Sequence, residues 1–161
     1  MGSDFYTKSI LPYANIIIKL CHAYTNSQQD FEDYYQEVCL QIWRSKDKFN
    51  GQSQWSTWVY RIALNVCLTY LKKKSHNQLS SGEPIKEEAI DCQAFSSQEI
   101  NQLYQAIKQL SEIDRAVILL YLEEWSYQEI ADTLGTNVNN IGVRVKRIKQ
   151  RLNKLLHMES S

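Results

Sequence analysis

The C-terminal stretch of this 161-residue chain collects side chains suited to gripping nucleic acid. Arg144, Lys146, Arg147, Lys149, Arg151 and Lys154 fall in a segment without a single Asp or Glu, and Asn139 and Asn140 precede them. Arginine can hold guanine edges or phosphates and asparagine can pair with adenine edges, so this combination suits the reading of duplex DNA. No comparable set points to a reaction. His22, His76 and His157 lack convergent partners and read as structural or solvated, so no catalytic residue is assigned. Cys21, Cys39, Cys67 and Cys92 are widely spaced without a C-x-x-C pair, which argues against a zinc site, and no cofactor is assigned.

Such residues need a scaffold that presents them on one face. Ser126 followed by Glu129 forms a capping-box pair, which starts a helix at Tyr127. Gly135 supplies the left-handed residue that ends it after Leu134, and Asn137 can cap the next helix. In that second helix Val138, Ile141, Val145, Ile148, Leu152 and Leu155 recur at three- and four-residue steps and form a stripe for burial. The stretch from Ser126 to Leu156 therefore reads as a helix-turn-helix with its cations outward. Upstream of it, Ile100, Leu103, Ile107 and Leu110 keep helical spacing, and Ser111 with Asp114 resembles a further cap before Ala116 to Leu122.

The N-terminal half carries three more helical patterns. Ile10, Leu11, Tyr13, Ala14, Ile17, Ile18, Cys21 and Tyr24 mark a core-facing helix in which Pro12 sits near the start. Phe31, Tyr34, Tyr35, Val38, Cys39, Ile42 and Trp43 mark a second, with acids in its first turns that complement the helix dipole. Asp47 to Gln54 breaks the pattern at Asn50-Gly51 and reads as a loop. Trp55, Trp58, Val59, Ile62, Ala63, Val66, Cys67 and Tyr70 then share one helical face, which favours burial of both tryptophans over a strand-melting role in which they stack on bases. The other side, with Tyr60, Arg61, Leu64, Asn65 and Leu68, mixes apolar and amide groups and reads as a contact surface. From His76 to Ser97 periodicity is lost, Gly82 and Pro84 appear and the charge is acidic, which reads as a linker.

The totals do not choose a function, because 18 basic residues balance 18 acidic ones. The distribution is more informative. Acids gather at Asp30, Glu32, Asp33 and Glu37 and again in the linker, whereas cations gather at Lys72 to Lys74 and in the last helix. No apolar run reaches a membrane span and no signal pattern opens the chain, so a cytoplasmic protein without membrane insertion is expected. The expected fold is all-α: two small helical domains, at 5–75 and 98–158, joined by a flexible linker at 76–97, the C-terminal one containing the helix-turn-helix.

Two helical units in this order, one with a tryptophan-bearing helix and one with a basic helix-turn-helix, resemble an extracytoplasmic-function (ECF) sigma factor, an alternative initiation subunit of bacterial RNA polymerase. DFEDYYQEVCLQIW is similar to the helix by which that family docks on the polymerase clamp, and FNGQSQWSTWVYRIALNVCLTYLKKK to the segment that melts and reads the downstream, minus-10 element. LSEIDRAVILLYLEEWSYQEIADTLG with VRVKRIKQRL is similar to the domain that reads the upstream, minus-35 element. The resemblance implies polymerase contacts at Asp33, Gln36, Glu37, Leu40 and Trp43, and downstream DNA contacts at Phe49, Asn50, Gln52, Arg61, Asn65, Lys72 and Lys73. It implies upstream contacts at Asn139, Asn140, Val143, Arg144, Lys146, Arg147 and Arg151. The partners implied are bacterial core RNA polymerase, promoter DNA and an anti-sigma factor. Gly142 departs from the polar or basic residue frequent there in relatives.

Two other readings fit the residues taken alone. A stand-alone regulator would bind a palindromic operator as a dimer without polymerase. A helical interaction scaffold would leave the last helix solvated and show no salt-dependent DNA binding.

Overall fold

The computed structural model describes residues 3–81 and 98–159, and the chain divides into two compact units, Met1–Ile90 and Asp91–Ser161. The described residues are helical with connecting turns and contain no strand. None of their helices is long and apolar enough to cross a membrane.

Unit 1 opens with a short helix α1 (Ser3–Phe5), a π-helical turn over Tyr6–Ile10 and a 3-10 turn over Leu11–Tyr13. Pro12 falls in that 3-10 turn, where its missing N–H costs no helical hydrogen bond. The first helical pattern is thus broken where a continuous helix would have been strained. Leu11, placed by spacing on the core face, is half exposed as a result. The helix proper, α2 (Ala14–Ala23), buries Ala14, Ile17, Leu20 and Cys21.

Ser27 caps α3 (Gln28–Ser45) by accepting the Asp30 backbone N–H at 3.1 Å. Tyr34, Val38 and Ile42, one helical turn apart, are its buried stripe. After a 3-10 turn at Lys46–Lys48, the loop turns at Gly51, whose φ of 78° is left-handed, and Asn50 Oδ1 accepts the Gln52 N–H at 3.1 Å. α4 (Trp55–Ser81) then returns antiparallel to α3. Tyr34 near the start of α3 meets Tyr70 late in α4, with ring centroids 5.0 Å apart.

α4 contacts both α2 and α3, and this corrects the reading of its second side. Tyr60 and Leu64 are buried together with Val59, Ala63, Val66 and Cys67, so the apolar arc spans about half the helix. A helix wedged between two partners buries more than one stripe. Asn65 and Thr69 remain exposed. The backbone helix also continues past His76 to Ser81, and residues 82–97, the rest of the expected linker, lie outside the described residues.

Unit 2 contains α5 (Gln98–Ile107), α6 (Glu112–Leu122), α7 (Tyr127–Leu134) and α8 (Val138–Glu159). The five consecutive residues Ala116 to Leu120 of α6 are all buried, which makes α6 the centre of this small core. α5, α6 and α7 each pack on α8, whose Ile141, Val145, Ile148 and Leu152 are buried. Val138 and Ile100 belong to apolar stripes but are 38% and 39% exposed. Each lies in the first turn of its helix, where the stripe begins before a partner covers it.

Candidate polymerase and nucleic-acid interfaces

The helix-turn-helix is built by local hydrogen bonds that hold its parts in fixed register. Ser126 Oγ accepts the Glu129 N–H at 3.1 Å and starts α7. Gly135 ends it with φ 73°, and Asn137 Oδ1 accepts the Asn140 N–H at 2.9 Å to start α8. The turn between α6 and α7 is tied by the Trp125 N–H to Leu120 O at 3.2 Å, and Glu124 there adopts φ 65°.

With about 100° of rotation per residue, the buried residues of α8 define one side and the opposite side follows from them. Asn139, Val143, Lys146, Arg147, Gln150 and Lys154 occupy that outer side, and all are exposed. Gln150 was not among the sequence candidates, although its spacing from Asn139 and Val143 places it there. Asn140 and Arg151 stand at one edge. Asn140 is already oriented, because its Nδ2 donates to Thr136 Oγ1 at 2.9 Å.

Arg144 and Lys149 lie further round, on opposite flanks. Arg144 Nη1 donates to Asp114 Oδ1 at 2.9 Å, across to the first turn of α6. Lys149 Nζ sits 4.5 Å from the centroid of the Tyr121 ring, and its contact with the Tyr121 hydroxyl raises its pKa. Gly142 faces the Tyr127 ring. A Cβ built on it would lie 3.7 Å from the nearest ring carbon, which is ordinary contact.

In unit 1 the candidates separate into two ends. Between α3 and α4 lies an open cleft of about 450 Å³ lined by Asp33, Gln36, Glu37 and Leu40 of α3, together with Tyr70 and Lys73 of α4. A second cleft, of about 330 Å³, adjoins it and brings Asn65 to Glu37, Gln41 and Lys73. Glu37 is shared by both, and its Oε1 accepts from Gln41 Nε2 at 2.9 Å. Burial, then the charge of Glu37, pushes the Tyr70 phenol above its ordinary pKa. Four polymerase candidates and two DNA candidates, Asn65 and Lys73, thus share one concave face. Lys72 is exposed, and Arg61 is half-buried.

Trp43 is drawn to the other end of α3. It meets Phe5 edge-on at 5.2 Å, and Lys46 Nζ lies 4.0 Å from its ring centroid. Trp55 and Trp58 lie tilted against each other with ring centroids 5.0 Å apart, and Phe49 packs on both, at 5.2 and 5.4 Å. All three are half-buried, so the tryptophans form an aromatic cap on the core instead of lying wholly within it. Asn50 and Gln52 remain exposed on the loop that this cap supports.

Cys21, Cys39 and Cys67 are buried as free thiols, and Cys92 lies outside the described residues. Among the described residues no group of three or more His, Cys, Asp or Glu side chains is placed to hold a metal.

Comparison with known proteins gives this arrangement a class. The family model for Sigma-70 region 2 matches residues 10–77, and that for Sigma-70, region 4 matches residues 100–152. Two regions of sigma-70 type in this order, the second around a helix-turn-helix, define a sigma-70-like protein. The chain belongs to the ECF sigma factor family. It is 28% identical to the ECF RNA polymerase sigma factor SigG of Mycobacterium tuberculosis, over 88% of this chain and 46% of that protein. The chain therefore spans about half the length of that relative. It is also 28% identical to SigW of Bacillus subtilis, over 95% of this chain and 89% of the relative. The sigma factor RpoE of Bartonella quintana, solved in complex with the anti-sigma factor NepR, shares the fold with a TM-score of 0.81. That match has 24% identity and covers 97% of this chain and 98% of that one.

Proposed function

We propose that this protein is an alternative sigma factor, a specificity subunit that binds bacterial core RNA polymerase and directs it to particular promoters. It adds no catalytic site of its own. The observation that carries this reading is the pair of sigma-70 regions on one chain, the second presenting an acid-free cationic face on a capped helix-turn-helix.

Unit 1 docks on polymerase through the α3 side of its cleft, using Asp33, Gln36, Glu37 and Leu40, with Trp43 at the far end. The loop with Phe49, Asn50 and Gln52, and the α4 residues Arg61, Asn65, Lys72 and Lys73, engage the downstream element as it opens. The Phe49–Trp55–Trp58 cap supports a role in which Phe49 stiffens the loop while Asn50 and Gln52 meet DNA. Unit 2 lays α8 into the major groove of the upstream element. Asn139, Val143 and Arg147 face base edges, while Lys146, Arg151 and Arg144 engage phosphates or groove walls, with Asn140 at the edge. The relative solved with NepR supports regulation by an anti-sigma factor that covers one or both of these faces.

Run-off transcription with core polymerase over a genomic promoter pool tests the reading. New transcripts that share an upstream motif are expected only when this protein is added. Absence of both polymerase binding and new transcripts would sink it, and duplex binding by the protein alone on palindromic sites would favour an operator-binding regulator.

A further inference from the structure

Arg144 of α8 forms an ion pair with α6, another element of its unit, and that pairing has a consequence for DNA reading. Its guanidinium is joined to Asp114 at 2.9 Å over a separation of 30 residues, and both groups are partly exposed, at 44% and 26%. Asp114 is itself firmly held. Its backbone N–H is capped by Ser111 Oγ at 3.3 Å, it sits in the first turn of α6 where the helix dipole favours a carboxylate, and the turns beyond it are buried. Arg144 stands on a flank of α8, about 60° round the helix from Arg147 and further from Val143 and Asn139. A flank residue of a helix in the major groove faces the phosphate wall. An arginine there sets how deep and in which register the helix sits, and such contacts position while others specify.

We propose that Asp114 is a positioning residue for promoter recognition: by holding one arm of the Arg144 guanidinium, it presents the other at a fixed place on the groove wall. The inference rests on the sigma-factor reading above. It has an unusual signature. Asp114 is an anion beside a polyanion, so removing it lightens the electrostatic penalty on any duplex while loosening the register on the correct one. Discrimination falls although general affinity does not. A purely structural loss, by contrast, would lower the active fraction and weaken all duplexes alike.

The test uses holoenzyme reconstituted with core polymerase and a labelled promoter duplex recovered from the run-off pool, against the same duplex with its upstream element scrambled. Asp114→Ala is expected to reduce the preference for the intact element by about five- to tenfold, with affinity for the scrambled duplex equal or higher. Arg144→Ala is expected to reduce the preference by a similar factor, and the double variant no further, because both changes remove one contact. Asp114→Asn, which keeps an acceptor for Arg144 and the capped backbone, should recover part of the preference and serves if the alanine variant does not fold. An unchanged preference in folded Asp114 variants, or losses that multiply in the double variant, would overturn the role of Asp114 while leaving the sigma-factor reading intact. Equal binding of both duplexes by the unaltered holoenzyme would overturn that reading and this one with it.

Discussion

The indole N–H of Trp55 donates to the carbonyl of Ser9 at 2.8 Å, joining the first turn of α4 to the segment before α2 across 46 residues. The same ring packs edge-on against Phe5 and Phe49, with centroids 6.3 and 5.2 Å away. One side chain therefore ties the N-terminal turns, the 49–54 loop and α4 together. Trp55→Phe keeps the aromatic packing but loses the hydrogen bond, and should cost unit 1 about 1 kcal/mol in urea unfolding. Trp55→Ala should cost about 3 kcal/mol, since it opens the cluster as well. An alanine variant as stable as the parent protein would remove the structural role.

Gly142→Ala is expected to stabilise unit 2. The added methyl would touch the Tyr127 ring at ordinary contact distance, and alanine is favoured over glycine in a helix interior by about 0.5–1 kcal/mol. Thermal unfolding of the two proteins gives the sign directly. If stability rises but promoter binding by the holoenzyme drops, the glycine serves close approach of DNA.

Left-handed positions on either side of α7 should respond in opposite directions. Gly135 has φ 73°, so Gly135→Ala should destabilise unit 2 by about 1 kcal/mol. Glu124 holds φ 65° without being glycine, so Glu124→Gly should relieve a similar strain, less the extra freedom glycine gains in the unfolded chain. Urea midpoints that move the same way in both variants would contradict these backbone assignments.

Unit 1 should lose stability on the alkaline side. Burial pushes the Cys39 thiol up from about 9 to about 11, and the Tyr34 and Tyr35 phenols are raised by burial as well. The neutral thiol is favoured in the fold, so its contribution is complete below pH 9 and is lost as pH climbs through about 11. Cys67 shifts in the same direction, through its contact with Cys21 and through burial. Denaturation midpoints should be flat near neutrality and fall over that window, and Cys39→Ala should shallow the fall. An identical pH profile for the variant would rule out Cys39 as a contributor.

Salt dependence separates the outer face of α8 from its flank. Lys146→Ala should lower the steepness of log K against log salt for the upstream element by about 0.9, the loss of one phosphate contact. Lys149→Ala should change it less, because Nζ rests over the Tyr121 ring. The reverse order would mean that α8 is turned differently in the groove.

The local punctuation of this chain was legible in its residues. Ser126, Gly135 and Asn137 announce the ends of α7 and α8 because a cap acts within three or four residues, and Ser111 does the same for α6. The acid-free run after Val138 likewise needs no partner to be read as a cationic face. The pattern of two helical segments, a linker-like stretch and a helix-turn-helix was enough to suggest the family.

Other features depend on what stands opposite. Periodicity assigned Tyr60 and Leu64 to an outer side, yet α2 and α3 flank α4 together and leave them buried. Spacing likewise could not tell that Trp55 and Trp58 would form a half-buried cap with Phe49, or that Asp114 would meet Arg144. Helix caps, turns and charge distribution are local in the chain, so the sequence alone determined them. How wide a helix face is buried, and which cation is held by an acid 30 residues away, depends on contacts between distant segments, and only the tertiary structure decided it.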